Sequence, residues 1–146
     1  KQHNITMNTS YCKMEKITPS TRVAMALVIP KTDFCYRLTR VRNVQGSPLV
    51  YTITYLKCVV ELPLDEKYYM KSLYKFLKDT YQIVIEKGKD TLEAALPSEE
   101  VQAFLEIGPA MPVFKRVRKT YLPENEVFEY SICYYPGNRY KYTVDL

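Results

Sequence analysis

The chain has no tryptophan, a single histidine (His3) and only four glycines in 146 residues. One histidine close to the start argues against a histidine-built metal centre or a His-dependent catalytic triad. The sparse glycines form no Gly-rich phosphate loop, and neither a nucleophile elbow nor an HExxH helix is present. Cys12, Cys35, Cys58 and Cys133 make no CxxC pair and no metal-ligand spacing. Scattered in this way, they read as reduced core residues of a cytoplasmic protein. No apolar run reaches the roughly 18 residues needed to cross a bilayer, and no signal peptide is visible. Without such a signal, Asn4-Ile5-Thr6 and Asn8-Thr9-Ser10 read as chance matches to the glycosylation sequon. Neither a metal, a cofactor nor a catalytic constellation is expected, and the expected location is cytoplasmic.

What is abundant is tyrosine, 14 in all, within a composition that is 47% hydrophobic and 25% charged. That balance is ordinary for one globular domain with a core of its own. Tyrosine with many Val, Ile and Thr favours sheet, and its apolar ring with a polar tip suits the wall of a polar pocket. The net charge of +5 is spread among acids along the chain. A nucleic-acid footprint would gather it on one element, so a solvated surface is the simpler reading.

Residues 1–21 are polar and without clear periodicity, which reads as a linker or a loop ordered against the domain. Residues 22–29 form an apolar run ended by Pro30. Residues 34–42 and 49–60 read as two strands of a hairpin around Asn43-Val44-Gln45-Gly46-Ser47-Pro48. The spacing of Leu73, Phe76 and Leu77 predicts a helix over 71–81 with Ser72 as its N-cap. Residues 82–86 read as strand, extending past Gly88 towards Ala95. Pro97-Ser98-Glu99-Glu100 signals a helix start, with acids where the dipole favours them and Gly108 as the stop. A second hairpin spans 112–121 and 127–135, and 138–144 reads as a last strand.

An internal echo organises these elements. Leu27-Val28-Ile29 followed by Tyr36 resembles Leu105-Glu106-Ile107 followed by Phe114, and each leads into an arginine-bearing hairpin. Two half-copies of one unit point to an α+β fold, an antiparallel sheet with packed helices. The first copy is expected to lack a counterpart of the helix begun at Ser98, 22–29 being too short to hold it. A crevice between two such halves is a natural ligand site.

Several residues could furnish that site. Arg40 and Arg42 are two apart on a strand and share a face, where two guanidinium forks suit a phosphate or carboxylate; exposed edge arginines are the alternative. Ser72 and Tyr74 stand at a helix start, whose free N–H groups attract anions; the alternative is an ordinary cap and a half-buried tyrosine. Glu129, between Phe128 and Tyr130, could accept hydrogen bonds from sugar hydroxyls or pair with Lys115 or Arg116 across the hairpin. Tyr135 could close the same pocket.

The run Tyr36-Arg37-Leu38-Thr39-Arg40-Val41-Arg42, then Gly46-Ser47-Pro48, then Ser72-Leu73-Tyr74, resembles the UTRA domain. So do Phe128-Glu129-Tyr130-Ser131 and Tyr134-Tyr135-Pro136-Gly137-Asn138-Arg139-Tyr140. The resemblance covers most of the chain, from about Thr18 onward. It implies residues 18–146 as a UTRA effector-binding domain, with 1–17 as a linker or N-terminal segment. It also implies a chorismate lyase-like fold of two similar halves, as found in the HutC branch of GntR transcription regulators.

In relatives that sense phosphorylated sugars, the positions of Arg40, Arg42, Ser72 and Tyr74 hold the phosphate, and those of Glu129 and Tyr135 contact the sugar. Thr9 and Ser10 could complete the phosphate site. The family usually carries a glutamate where Thr52 stands, and its YRGDRY-like ending reads Tyr135-Pro136-Gly137-Asn138-Arg139-Tyr140 here. The resemblance further implies a homodimer with a small-molecule effector and no membrane partner. Operator DNA would be bound through a winged helix-turn-helix that this chain does not contain. A chorismate lyase-like enzyme, or a dimerisation module without ligand, are the competing readings.

Overall fold

The computed structural model describes residues 7–141 and 143–146, so His3 and Asn4 lie outside it. The elements are β1 (Met7–Ile17), α1 (Thr21–Leu27), β2 (Cys35–Val44), β3 (Ser47–Lys57), α2 (Leu73–Tyr81), β4 (Lys87–Ala95), α3 (Glu99–Leu105), β5 (Val113–Leu122) and β6 (Glu126–Pro136). A short 3-10 turn, Glu66–Tyr69, precedes α2. The strands form one six-stranded sheet in the order β1-β2-β3-β6-β5-β4, antiparallel throughout. The α+β expectation is met, and the order is a palindrome of two β-α-β-β units joined through β3 and β6.

Both halves are built by the same local chemistry. Ser20 caps α1 by accepting from the Val23 amide at 3.2 Å, and Ser98 caps α3 by accepting from the Val101 amide at 3.3 Å. Their backbones are superposable, φ −67°, ψ 168° and φ −67°, ψ 170°. Both helices end in the left-handed region, at Val28 (φ 58°) and Glu106 (φ 57°). The first half therefore does hold a helix equivalent to the one begun at Ser98, contrary to expectation. Seven residues suffice for it because capping at both ends satisfies orphan backbone groups.

Three further expectations are corrected. Residues 7–17 are the edge strand β1 paired along β2, and not a linker. Residues 82–86 are not strand; β4 starts at Lys87. Residues 138–141 form no strand, because β6 already pairs with β3 and β5 and the chain leaving it meets no free edge. That segment is tied down instead by the Gly137 amide donating to the Pro112 carbonyl (2.8 Å) and by Arg139 donating to the carbonyls of Pro48 (2.6 Å) and Val44 (3.2 Å).

The two faces of the sheet have different cover. On one, α1 and α3 bury Val23, Leu27, Val101 and Leu105 against Tyr51, Tyr130 and their neighbours. On the other, Leu73 and Leu77 of α2 pack with Leu62 and Tyr69 on Tyr36, Leu38, Leu56 and Phe128. Helix α2 covers one end of that second face and leaves the rest open.

Candidate functional site

The uncovered part of the second face is a cavity of about 360 Å³, within the range of small-molecule sites. Its floor crosses the seam between the halves, where Thr52 faces Cys133 and Thr54 faces Ser131. Side chains alternate along a strand, so Arg40 and Arg42 of β2 point onto this face, as do Arg116 and Arg118 of β5. Ser72, Leu73 and Tyr74 form the wall at the first turn of α2, and Glu129 and Tyr135 come up from β6.

Arg40 is buried, and its Nη1 donates to the carbonyls of Tyr69 (3.0 Å) and Lys71 (2.8 Å). These bonds fix the segment that delivers Ser72, whose hydroxyl accepts from the Lys75 amide at 3.3 Å. Burial first, and then the neighbouring Arg42, pull the Arg40 guanidinium below its ordinary pKa. The Nε atoms of Arg40, Arg42 and Arg116 are all buried without a hydrogen-bond partner among the described residues. Buried polar groups are nearly always satisfied in proteins, so three orphaned donors beside one cavity are unusual; their guanidinium groups gather positive charge on this face.

Arg118 is different, because Asp90 of β4 engages it from both oxygens (Nε–Oδ1 2.7 Å, Nη2–Oδ2 2.9 Å). The pairing raises the Arg118 pKa and lowers that of Asp90. Glu129 is also fully engaged. Its Oε1 accepts from Tyr74 Oη (2.6 Å) and Thr120 Oγ1 (3.1 Å), and its Oε2 from the Ser131 hydroxyl. Burial, and then this carboxylate, hold the Tyr74 phenol well above its usual pKa. Tyr135 is pushed up to about 12, mainly by burial, and its ring lies 5.5 Å from the Arg116 guanidinium carbon.

The structure thus gathers Arg40, Arg42, Thr52, Ser72, Tyr74, Glu129 and Tyr135 around one cavity. It does not place Thr9 or Ser10 in the lining. Their hydroxyls donate to the Met70 carbonyl (2.8 Å) and to Asn43 Oδ1 (3.0 Å), so in this arrangement they secure β1. Glu129 pairs with neither Lys115 nor Arg116, since Lys115 reaches Glu93 and Arg116 lies beside the Cys133 thiol. Arg116, Arg118 and Ser131 are lining residues that sequence reasoning missed. The signal was available: Arg116 and Arg118 repeat on β5 the two-apart spacing of Arg40 and Arg42. No group of three or more Cys, His, Asp or Glu suited to a metal occurs among the described residues. No helix among them is long and apolar enough to cross a membrane.

Comparison with known proteins gives this arrangement relatives. The UTRA domain family model matches residues 2–141. The chain is 26% identical to the mannosyl-D-glycerate transport/metabolism system repressor MngR of Escherichia coli, across 81% of this chain and 49% of that protein. It is 25% identical to the HTH-type transcriptional repressor NagR of Bacillus subtilis, across 94% of this chain and 62% of that protein. It therefore spans about half to three-fifths of these relatives. In structure it is similar to the possible transcriptional regulator YydK of B. subtilis, with a TM-score of 0.89, 19% identity, and coverage of 99% of this chain and 65% of that one. It also matches the ligand-binding domain of a putative GntR-family regulator from Bordetella bronchiseptica, with a TM-score of 0.83, 18% identity, and coverage of 100% and 92%. The shared architecture is the chorismate lyase-like fold.

Proposed function

The chain belongs to the UTRA domain family, and from that premise we propose that it is the effector-binding domain of a GntR-type transcription regulator of the HutC branch, responding to a phosphorylated sugar or a similar small anion. The observation that carries this reading is the pair of buried guanidinium groups of Arg40 and Arg42, with unpartnered Nε atoms, at one end of the cavity. A phosphate carries close to two negative charges at neutral pH and several acceptor oxygens. Between Arg40 and Arg42, beside the first turn of α2, it would meet two guanidinium charges that no acid pairs with among the described residues. Glu129 and Tyr135 then flank the sugar. Thr9 and Ser10 are left out of this site, whereas Thr52 contributes a floor hydroxyl.

The closest functional alternative, an enzyme, needs a group free to move a proton. Glu129 has both oxygens committed to hydroxyls, which supports a fixed acceptor over an acid–base catalyst. In the whole regulator, a cytoplasmic homodimer in this reading, operator DNA belongs to a winged helix-turn-helix outside the present chain. Effector binding would bias the arrangement of that dimer, a coupling typically worth about 1–3 kcal/mol. The relatives are named as repressors, one of them of a mannosyl-D-glycerate system, which supports a carbohydrate-derived effector.

The test is a thermal-shift panel pairing hexose 6-phosphates and amino-sugar 6-phosphates with their unphosphorylated parents. Stabilisation by at least one phosphorylated member and by none of the parents is expected. A parent that stabilises as well as its phosphate, or a wholly silent panel, overturns the phosphate assignment.

A further inference from the structure

The strand registers place four cavity residues in one line across the sheet. Arg40 faces Thr52, Thr52 faces Cys133, and Cys133 faces Arg116. Three gaps of about 4.8 Å separate the two arginine backbones, roughly 14 Å in all. The two arginines therefore rise from opposite sides of the cavity floor. The middle of the line is occupied by small side chains, so the floor between the two cations is open.

The two ends differ in charge. At the β2 end, Arg40 and Arg42 present two guanidinium groups. At the β5 end, Arg118 is already neutralised by Asp90, whereas Arg116 has no acidic partner among the described residues. The Arg116 contacts are the Cys133 sulfur, 3.3 Å from Nη2, and the face of Tyr135. Neither is a carboxylate, and its buried Nε donates to nothing described. A guanidinium laid over an aromatic ring is held in plane and offers its nitrogens to a planar, two-oxygen acceptor.

We infer that Arg116 receives a second anionic group of the effector, a carboxylate, so that the effector is a phosphorylated sugar acid with its two charged groups at opposite ends. This rests on the phosphate reading above and adds to it the chemistry of the far end. Two guanidinium groups at one end match a doubly charged phosphate, and one at the other matches a singly charged carboxylate. Arg116 is in these terms the residue that sets specificity.

The matched probes are 6-phosphogluconate and sorbitol 6-phosphate, which differ only in a carboxylate against a hydroxymethyl group at carbon 1. Affinities for the full chain are measured by calorimetry. The acid should bind about tenfold more tightly or better, the scale of one charge-assisted hydrogen-bonded pair. Arg116→Gln should remove that preference by weakening the acid at least tenfold more than sorbitol 6-phosphate, whose retained binding is the control for folding. Equal affinities in the unaltered chain, or a preference that survives Arg116→Gln, overturn the inference and leave the phosphate site standing. Silence of both probes while other sugar phosphates bind also overturns it alone. Silence of both together with the whole phosphorylated panel overturns the phosphate reading and the inference with it.

Discussion

Replacing Arg42 by alanine separates binding from folding, because Arg42 serves the cavity without serving the fold. Its Nε is buried and unpartnered, and no hydrogen bond or ion pair of its side chain occurs among the described residues. Its charge also disfavours that of Arg40. Truncation therefore removes one charge-assisted contact to an anion, worth about 1.5–3 kcal/mol, or roughly 10- to 150-fold in affinity. At a phosphorylated ligand concentration of about 100 times the dissociation constant, the unaltered chain gains about 2.7 kcal/mol. For a domain of this size that is a rise in Tm of roughly 5–10 °C. A 50-fold loss of affinity at the same ligand concentration leaves about 0.7 kcal/mol, a rise of only about 2 °C. Without ligand, the Tm of the variant should equal or slightly exceed that of the unaltered chain. Paired melts with and without ligand read both quantities. A large fall in the ligand-free Tm would show that Arg42 is structural, and an undiminished ligand shift would remove it from the anion site.

The repeated caps make a further quantitative prediction. Ser20→Ala and Ser98→Ala should each cost about 1 kcal/mol, because the two serines make the same bond to the amide three residues on. The double variant should cost their sum by denaturant unfolding, the sites being on separate helices. The Asp90–Arg118 pair adds a pH signature. The Asp90 carboxyl is held below its ordinary value of 3.8 by the Arg118 hydrogen bonds. Its stabilisation is thus fully present above about pH 4 and is lost as the pH falls through the lowered value. Asp90→Asn should flatten that part of the acid unfolding curve, its small cost being largest between about pH 6 and 8 and vanishing as the pH falls below the lowered value.

The parts legible in the sequence were those with a strong local signature. Turn residues between β-branched runs marked both hairpins, and Ser72 and Ser98 announced their helices. Strand β1 was hidden because it is an edge strand with Met14 as its one buried residue and a register break around Ser10. It shows no alternation to read. Helix α1 was hidden by its brevity, although Pro19-Ser20 repeats Pro97-Ser98 and would have disclosed it. The cavity was half legible. Arg40 and Arg42 were found by spacing on one strand, but Arg116 and Arg118 lie three strands away and meet them only through the register of the folded sheet. The family resemblance alone implies Thr9 and Ser10 at the phosphate. The structure has their hydroxyls occupied elsewhere.

The palindromic strand order has a mechanical consequence. Each half is a three-stranded sheet with its own capped helix, and within the sheet the two are joined by a single ladder running from Tyr51–Tyr134 to Leu56–Glu129. Shear along that ladder is the motion that would let one half slide past the other. A molecule anchored on β2 at one end and on β5 at the other lies across the ladder like a rung and stiffens it against slippage. Occupancy of the cavity should accordingly be felt as slower amide exchange at the ladder between β3 and β6.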